Sequence, residues 1–290
     1  MPQPHLAGRW WGRVTVHEQV PLAQDTYRLR FACPELAAAI VPGQFVMLRL
    51  AGCNDPLLGR PLALYDTWCE DGQPIGLDIV YLAVGKLTRR LAQLGNGGVL
   101  EVWGPLGNGF PPARTPHLLL AAGGIGQTPF LAVAREYLGL RRYGRAARGP
   151  VEPDAQGRRA VTLCYGTRTA GLLAGVEDFA ALGVRVRTST DDGTAGHRGL
   201  VTDLVAEELA RGIPTTVYCC GPEPMMAAVA QLTQRHDVPC LVSLETPMAC
   251  GIGICFSCVA RVREGSGWDY QRTCVAGPVF DAAQIVWHAS

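Results

Sequence analysis

The stretch Met248-Ala-Cys250-Gly251-Ile-Gly253-Ile-Cys255-Phe256-Ser257-Cys258-Val-Ala-Arg261, with a further cysteine at Cys274, sets the terms for the whole chain. The gaps between these four cysteines are four, two and fifteen residues. Four then two is the thiolate spacing of plant-type 2Fe–2S proteins. Such a centre needs four thiolates. A tight loop supplies three, glycines let that loop wrap with positive φ, and a distant segment supplies the last. Cys250, Cys255, Cys258 and Cys274 are therefore the candidate metal ligands. Two other readings stay open. A zinc site also takes four cysteines, although its ligands usually come as two short pairs. A disulfide framework fits poorly, because the start Met1-Pro-Gln-Pro-His5 has no charged-then-apolar leader and eleven cysteines is an odd number.

A 2Fe–2S centre moves single electrons, so the remaining sequence is read for a donor and an acceptor. The length of 290 residues predicts two or three domains. A formal net charge of +1 gives no indication of a nucleic-acid or membrane partner. Hydrophobic residues make up 48% of the chain, yet no uninterrupted apolar run reaches the length of about 18 residues that a membrane span needs. A cytoplasmic location is expected. Cys33, Cys53, Cys69, Cys164, Cys219, Cys220 and Cys240 fit a reducing compartment as small core residues.

Residues 1–112 read as short strands punctuated by Pro and Gly. Val14–Val16, Tyr27–Phe31, Phe45–Leu48, Arg60–Tyr65, Leu77–Tyr81 and Val99–Trp103 form the set. Strands at this spacing predict a small antiparallel β-barrel. Lys86–Leu94 has helical spacing and ends at Gly95. Arg60-Pro61-Leu62-Ala63 sets a permanent charge beside a rigid ring, which suits clamping a phosphate. Gly85-Lys86-Leu87-Thr88 opens the helix, where free N–H groups and the dipole suit a pyrophosphate. Plainer readings are a solvated arginine before a strand and a Thr-capped helix.

Residues 113–239 change to alternating strands and helices, which predicts an α/β domain with a parallel sheet and right-handed crossovers. His117–Ala122 is almost wholly apolar, as a buried parallel strand requires. Gly123-Gly124-Ile-Gly126-Gln-Thr128-Pro129 follows, with Thr128 as expected N-cap and Pro129 at the first helical position of a helix to about 140. Further helices are expected at 172–180, 200–210 and 223–236. Ligands of such sheets bind beyond the C-terminal strand ends. Those ends are Gly123-Gly124, Gly166-Thr167-Arg168, Asp191-Asp192-Gly193 and Cys220-Gly221-Pro222. Residues 141–159 hold six arginines among Gly, Pro and Ala, and read as a mobile surface insertion. Residues 240–290 then form a small cluster domain.

The order of these motifs, with Pro42-Gly43-Gln-Phe45 and the tail Cys274-Val-Ala-Gly277-Pro278-Val279-Phe280, resembles the ferredoxin–NADP reductase superfamily. Within it the chain is most similar to the electron-transfer subunits of dihydroorotate dehydrogenase B. The resemblance implies FAD on the barrel, NAD in the second domain, and a 2Fe–2S cluster facing a partner. That partner is an FMN-containing dihydroorotate dehydrogenase catalytic subunit, in a heterotetramer. Arg60, Pro61, Leu62, Ala63, Val80, Tyr81, Leu82, Gly85, Leu87 and Thr88 would hold FAD. Gly123, Gly124, Gly126, Thr128, Pro129, Gly166, Thr167, Arg168, Asp191, Asp192, Cys220, Gly221 and Pro222 would serve NAD, with Cys220 only positioning the nicotinamide. Asp191 and Asp192 favour a free ribose hydroxyl, whereas Arg168 favours a 2′-phosphate. Ala63 stands where the family usually has Ser, Leu82 where a basic residue is common, Leu87 where Gly is usual, and Phe256-Ser257 where Leu-Gly is usual.

The function implied is electron transfer from dihydroorotate, through the partner's FMN, the cluster and FAD, to NAD+, within pyrimidine biosynthesis. Two competing functions are a reductase subunit for a hydrogenase or a ferredoxin, and a non-enzymatic adaptor holding zinc.

Overall fold

The computed structural model describes residues 9–146 and 159–287. The first unit is a closed barrel of β1 (Trp10–Ala23), β2 (Thr26–Ala32), β3 (Phe45–Leu50), β4 (Arg60–Glu70), β5 (Gln73–Leu82) and β6 (Val99–Leu106), in the order β1-β2-β5-β4-β3-β6. Helix α1 (Pro34–Ala39) and helix α2 (Lys86–Leu94) complete it. Every pairing is antiparallel, and Leu29, Phe31, Leu48, Leu77, Ile79 and Val102 fill the interior. Closure removes the free edges that open antiparallel sheets must otherwise protect.

The second unit contains β7 (His117–Gly123), α3 (Phe130–Tyr137), β8 (Ala160–Thr167), α4 (Val176–Ala180), β9 (Arg185–Thr190), β10 (His197–Arg198), α5 (Val201–Leu209), β11 (Thr215–Cys220), α6 (Glu223–Arg235) and β12 (Cys240–Ser243). The chain ends in the hairpin β13 (Val259–Glu264) and β14 (Gly267–Arg272), then β15 (Val279–Asp281). The large sheet runs β10-β9-β8-β7-β11-β12-β15. Its strands are parallel except β15, which pairs antiparallel with β12. β7 lies between β8 and β11 with all its residues buried, so an apolar run without alternation is what its position demands. Strand β12 lies past the expected domain limit at 239, and β15 comes from the cysteine-bearing segment itself. The sheet therefore recruits strands from both sides of the cysteine loop.

Three local expectations fail for physical reasons. The helix expected over 172–180 splits into a 3-10 turn, Ala170–Leu172, and α4, because Gly175 between them takes φ +70. Thr128 does not cap α3. A 3-10 turn over Gly124–Gln127 carries the chain into the helix, Pro129 takes the cap position, and Thr128 is buried with helical dihedrals. Residues 141–146 are not a loose insertion. Arg141 Nη1 donates to Asp66 Oδ1 at 2.9 Å, and the buried Tyr143 hydroxyl donates to the same oxygen at 2.6 Å. The rest of that segment lies outside the described residues.

Those contacts tie the barrel to the nucleotide unit. A bulge between Leu64 and Asp66 in the β4–β5 pairing lets consecutive residues reach the neighbouring unit. Tyr65 donates to Asp178 Oδ2 at 2.6 Å, while Asp66 receives Arg135 and Arg141.

His117 sits at the opposite end of the sheet from the strand ends that face ligand. Its Nδ1 pairs with Thr215 Oγ1 at 2.9 Å and its Nε2 with Thr162 Oγ1 at 3.0 Å. Burial holds its pKa below the ordinary 6.5. The unfolded chain thus binds this proton at higher pH than the folded one. The associated stability is complete above about pH 6.5 and is lost as pH falls from there towards the folded pKa. Urea denaturation is expected to show a steeper loss of stability from about pH 7.5 to 5.5 in the native chain than in His117→Gln. Equal slopes would remove His117 as the cause.

Candidate functional site

The cysteine loop packs on the barrel. Met248, Cys258 and Cys274 form one buried cluster with Phe45, Met47 and Leu106. Trp103 Nε1 donates to the Cys250 carbonyl at 3.0 Å. Gly251 has φ +70, and a Cβ there would lie 2.5 Å from Met47 Cγ, so close approach and backbone sign both require glycine.

The four sulfurs fall into two pairs. Cys258 and Cys274 are buried with their sulfurs 3.1 Å apart. Cys250 and Cys255 neighbour each other in the more open half of the loop. Among the described residues, no three His, Cys, Asp or Glu side chains enclose a single ion. Two thiolate pairs suit a 2Fe–2S group, which presents two ligands to each of two irons. Backbone N–H groups of Ile252 and Ile254 each point at Cys250 Sγ at 3.4 Å, as sulfur that carries negative charge requires. The Ser257 hydroxyl lies 3.2 Å from Cys255 Sγ, and this contact, ahead of backbone contributions, lowers the Cys255 thiol to about 6. Burial pushes Cys274 up to about 12.

Two clefts lie along the nucleotide unit, and the larger also borders this loop. The larger, about 1200 Å³, runs from Arg60 and Pro61 on the barrel to Gly221 and Pro222 at the end of β11, and on to Met248 and Ser257. The smaller, about 510 Å³, lies over the strand ends Gly123-Gly124, Gly166-Thr167-Arg168 and Asp191. Its volume is within the range of roughly 300–1,000 Å³ usual for small-molecule sites. Ser189 Oγ on its wall is buried without a hydrogen-bond partner, an orphan that a ligand hydroxyl would satisfy.

The expected flavin residues separate. Arg60 and Pro61 line the larger cleft, and the Arg60 guanidinium bends back to the carbonyls of Leu58 at 3.3 Å and Gly59 at 3.0 Å. Leu62 packs on the barrel core, and Ala63 pairs with Phe45 beside it. Leu82 lines the smaller cleft instead. Tyr81 and Leu87 are in the barrel core, and Val80 packs into the core between barrel and nucleotide unit. Thr88 Oγ1 accepts from Gly85 N at 3.0 Å, so this pair closes the first turn of α2. Lys86, at that helix start, is 2.5 Å from Asp55.

Of the expected nucleotide residues, Gly123, Gly124, Gly166, Thr167, Arg168, Asp191 and Pro222 meet at the smaller cleft, and Gly221 faces the larger. Gly126, Thr128 and Pro129 lie behind the wall, Gly126 against the Cys220 carbonyl. Asp192 is committed to Thr194, accepting from its N at 3.0 Å and its Oγ1 at 2.6 Å. Burial pushes the Cys220 thiol up to about 12, against the opposing effect of Ser243, its neighbour on β12. Sequence reasoning missed Ser189, Met225 and the linker Glu245-Thr246-Pro247. The linker carries a signal, since it joins the last parallel strand directly to the cysteine loop; Ser189 carries none.

A barrel, a parallel-sheet nucleotide unit and a thiolate-rich loop at their junction define a flavin- and nicotinamide-linked reductase with an iron–sulfur domain. Family models match accordingly: an oxidoreductase FAD-binding domain over 13–110, an oxidoreductase NAD-binding domain over 120–231, and the iron-sulfur cluster binding domain of dihydroorotate dehydrogenase B over 245–286. The dihydroorotate dehydrogenase B (NAD(+)) electron transfer subunit of Bacillus caldolyticus is 37% identical over 278 residues, 94% of this chain and 98% of that one. That of Desulforamulus reducens is 34% identical over 92% of this chain and 94% of that one. The chain belongs to the family of dihydroorotate dehydrogenase B electron transfer subunits. Among solved structures, an NADH-dependent reduced ferredoxin-NADP oxidoreductase superposes with a TM-score of 0.77 at 28% identity, covering 94% of this chain and 90% of that one. Phthalate dioxygenase reductase shares the fold, with a TM-score of 0.58 at 18% identity over 88% of this chain. The chain is thus an oxidoreductase subunit with FAD-, NAD- and iron–sulfur-binding domains that works with a catalytic subunit. A zinc adaptor finds no support in these matches. No helix among the described residues is long and apolar enough to cross a membrane.

Proposed function

We propose that this chain passes electrons from an FMN-carrying, dihydroorotate-oxidising subunit to NAD+ in the cytoplasm, as half of a heterotetramer's paired subunits. The observation that carries this reading is the shared wall. Ser257 and Met248, on and beside the cysteine loop, line the same cleft as Arg60, Pro61, Gly221 and Pro222. Cys250, Cys255, Cys258 and Cys274 hold the cluster, Arg60 and Pro61 clamp the flavin, and the glycine-bearing strand ends hold NAD. Residues 1–112, 113–239 and 240–290 mark the three units, with β12 and β15 lent to the central sheet. Bound flavin supplies the exchange between single-electron and hydride chemistry. Asp191 and Arg168 both line the smaller cleft; Asp191 suits a free ribose hydroxyl and Arg168 a 2′-phosphate, and NAD is the nucleotide proposed, on the Asp191 carboxylate.

The face around Cys255 fits the partner. Ile254 is 70% exposed and Phe256 62%, and Leu57 and Leu58 are exposed on the loop leading to Arg60. Ile254→Asp is expected to weaken subunit association at least about tenfold, the scale of about 1.4 kcal/mol, with flavin and iron content unchanged. Unaltered association by analytical ultracentrifugation would move the interface elsewhere. The reading as a whole is tested by anaerobic purification. Flavin and thiolate–iron absorption, with co-purification of a dihydroorotate-oxidising subunit, supports it. A colourless zinc protein, or one that co-purifies with a nickel or multi-cluster subunit, ends it.

A further inference from the structure

Strand β1 begins at Trp10, opposite Gly104, and Trp11 lies opposite Trp103. Trp103 donates to the Cys250 carbonyl, and Leu106 on the same strand packs with Cys258 and Cys274. The residue just before β1 therefore arrives at the inner, barrel-facing side of the cysteine site. That residue is Arg9. Its Nη1 is buried and has no hydrogen-bond partner among the described residues. Buried guanidinium groups are ordinarily paired, because an unpaired charge out of water is costly. Burial lowers the Arg9 pKa, and the Cys274 sulfur acts against that lowering.

Other groups at the site are placed differently. Arg272 reaches from the outer side, where its guanidinium donates to the Gly253 carbonyl at 2.5 Å and lies 4.5 Å from the Phe256 ring. Ser257 supplies a dipole, not a charge, and does so at the exposed pair. Arg9, by contrast, approaches Cys274 from the barrel side, off the end of β1.

We propose that Arg9 is the charge-compensating residue of the iron–sulfur site, a positioning residue that raises its midpoint potential and so favours electron uptake. Four thiolates concentrate negative charge, and one-electron reduction adds another unit of it without a proton. A fixed positive charge close to the site stabilises the more negative state, so the potential shifts upward. The idea rests on assigning the four cysteines to a 2Fe–2S cluster.

The test is an anaerobic dithionite titration of the full-length holoprotein, followed by EPR of the reduced cluster. In Arg9→Gln the electron-uptake constant is expected to fall about tenfold, about 59 mV for one electron, with iron content and line shape retained. Arg9→Lys keeps the charge and is expected to stay near the native potential. If Arg9→Gln loses iron while Arg9→Lys keeps iron and the native potential, the charge is needed even for assembly, which supports the proposal. A native potential in Arg9→Gln, or an Arg9→Lys variant that behaves as Arg9→Gln does, overturns it. A native protein without a reduced-cluster signal refutes the cluster assignment itself, and Arg9's role with it.

Discussion

Cys255→Ser is expected to lower dihydroorotate-driven NAD+ reduction by on the order of a hundredfold or more. Loss of a partner behind a metal ligand already costs roughly 10–100-fold, and Cys255 is proposed as a ligand itself. The side chain belongs to the open pair with Cys250, so its loss leaves the buried Cys258–Cys274 pair and the packing of Met47, Leu106 and Met248 in place. Arg60, Pro61, Gly221 and Pro222 are untouched. NADH-driven reduction of flavin, followed with an artificial acceptor dye, is therefore expected to stay within about twofold of native. Two assays on one preparation separate the outcomes. Parallel loss in both would make the loop a structural clasp and not a conduit.

Asp66→Ala is expected to destabilise the chain by about 2–4 kcal/mol. Asp66 is a buried carboxylate with Arg141 at 2.9 Å, Arg135 at 2.8 Å and the Tyr143 hydroxyl at 2.6 Å. Breaking a buried pair costs about 3–5 kcal/mol when the remaining charge is stranded. Both arginine side chains are about a quarter exposed, at 27% and 25%, so water relieves part of that loss. Arg135 Nε approaches without hydrogen-bond alignment, which leaves Arg141 and Tyr143 as the stronger contacts. Burial raises the Asp66 carboxyl above its ordinary value despite all three neighbours, so these contacts only partly offset its desolvation. The double variant Asp66→Ala, Arg141→Ala is expected to be more stable than Asp66→Ala alone, since it strands one charge fewer. Thermal denaturation of four proteins, the native chain, Asp66→Ala, Arg141→Ala and the double variant, decides. Additive losses would mean the two residues do not share an interaction.

The barrel, the parallel sheet and the cysteine ligands were readable because each leaves a local signature. Strands such as Tyr27–Phe31 alternate, His117–Ala122 does not, and cysteine spacing encodes a loop. What sequence concealed was relation. Val80 and Tyr81 are neighbours in one motif, yet the first packs between units and the second inside the barrel, a difference set by β-strand alternation and the position of β5. Asp191 and Asp192 read as equivalent, but an Asx turn with Thr194 withdraws the second. Arg141 and Tyr143 sit in an arginine-rich stretch, where composition suggests solvent. Their partner Asp66 is 75 and 77 residues away, beyond any local pattern. Ser189 and Arg9 carry their significance only in lacking partners, which a sequence never displays.

Strand β15 follows the last of the four candidate ligand cysteines, yet it is hydrogen-bonded into the central sheet, with Leu241 opposite Asp281 and Ser243 opposite Val279. Asn108 of the barrel adds side-chain bonds to the carbonyls of Ala276 at 3.0 Å and Val279 at 2.8 Å. The cysteine loop is thus sewn down at both of its ends and has no tether on which to swing. A cluster held by this loop would keep a constant separation from a flavin held on the barrel. The rate of electron passage between them should be indifferent to solvent viscosity, and any drag that glycerol imposes on turnover would have to arise where subunits or nucleotides come and go.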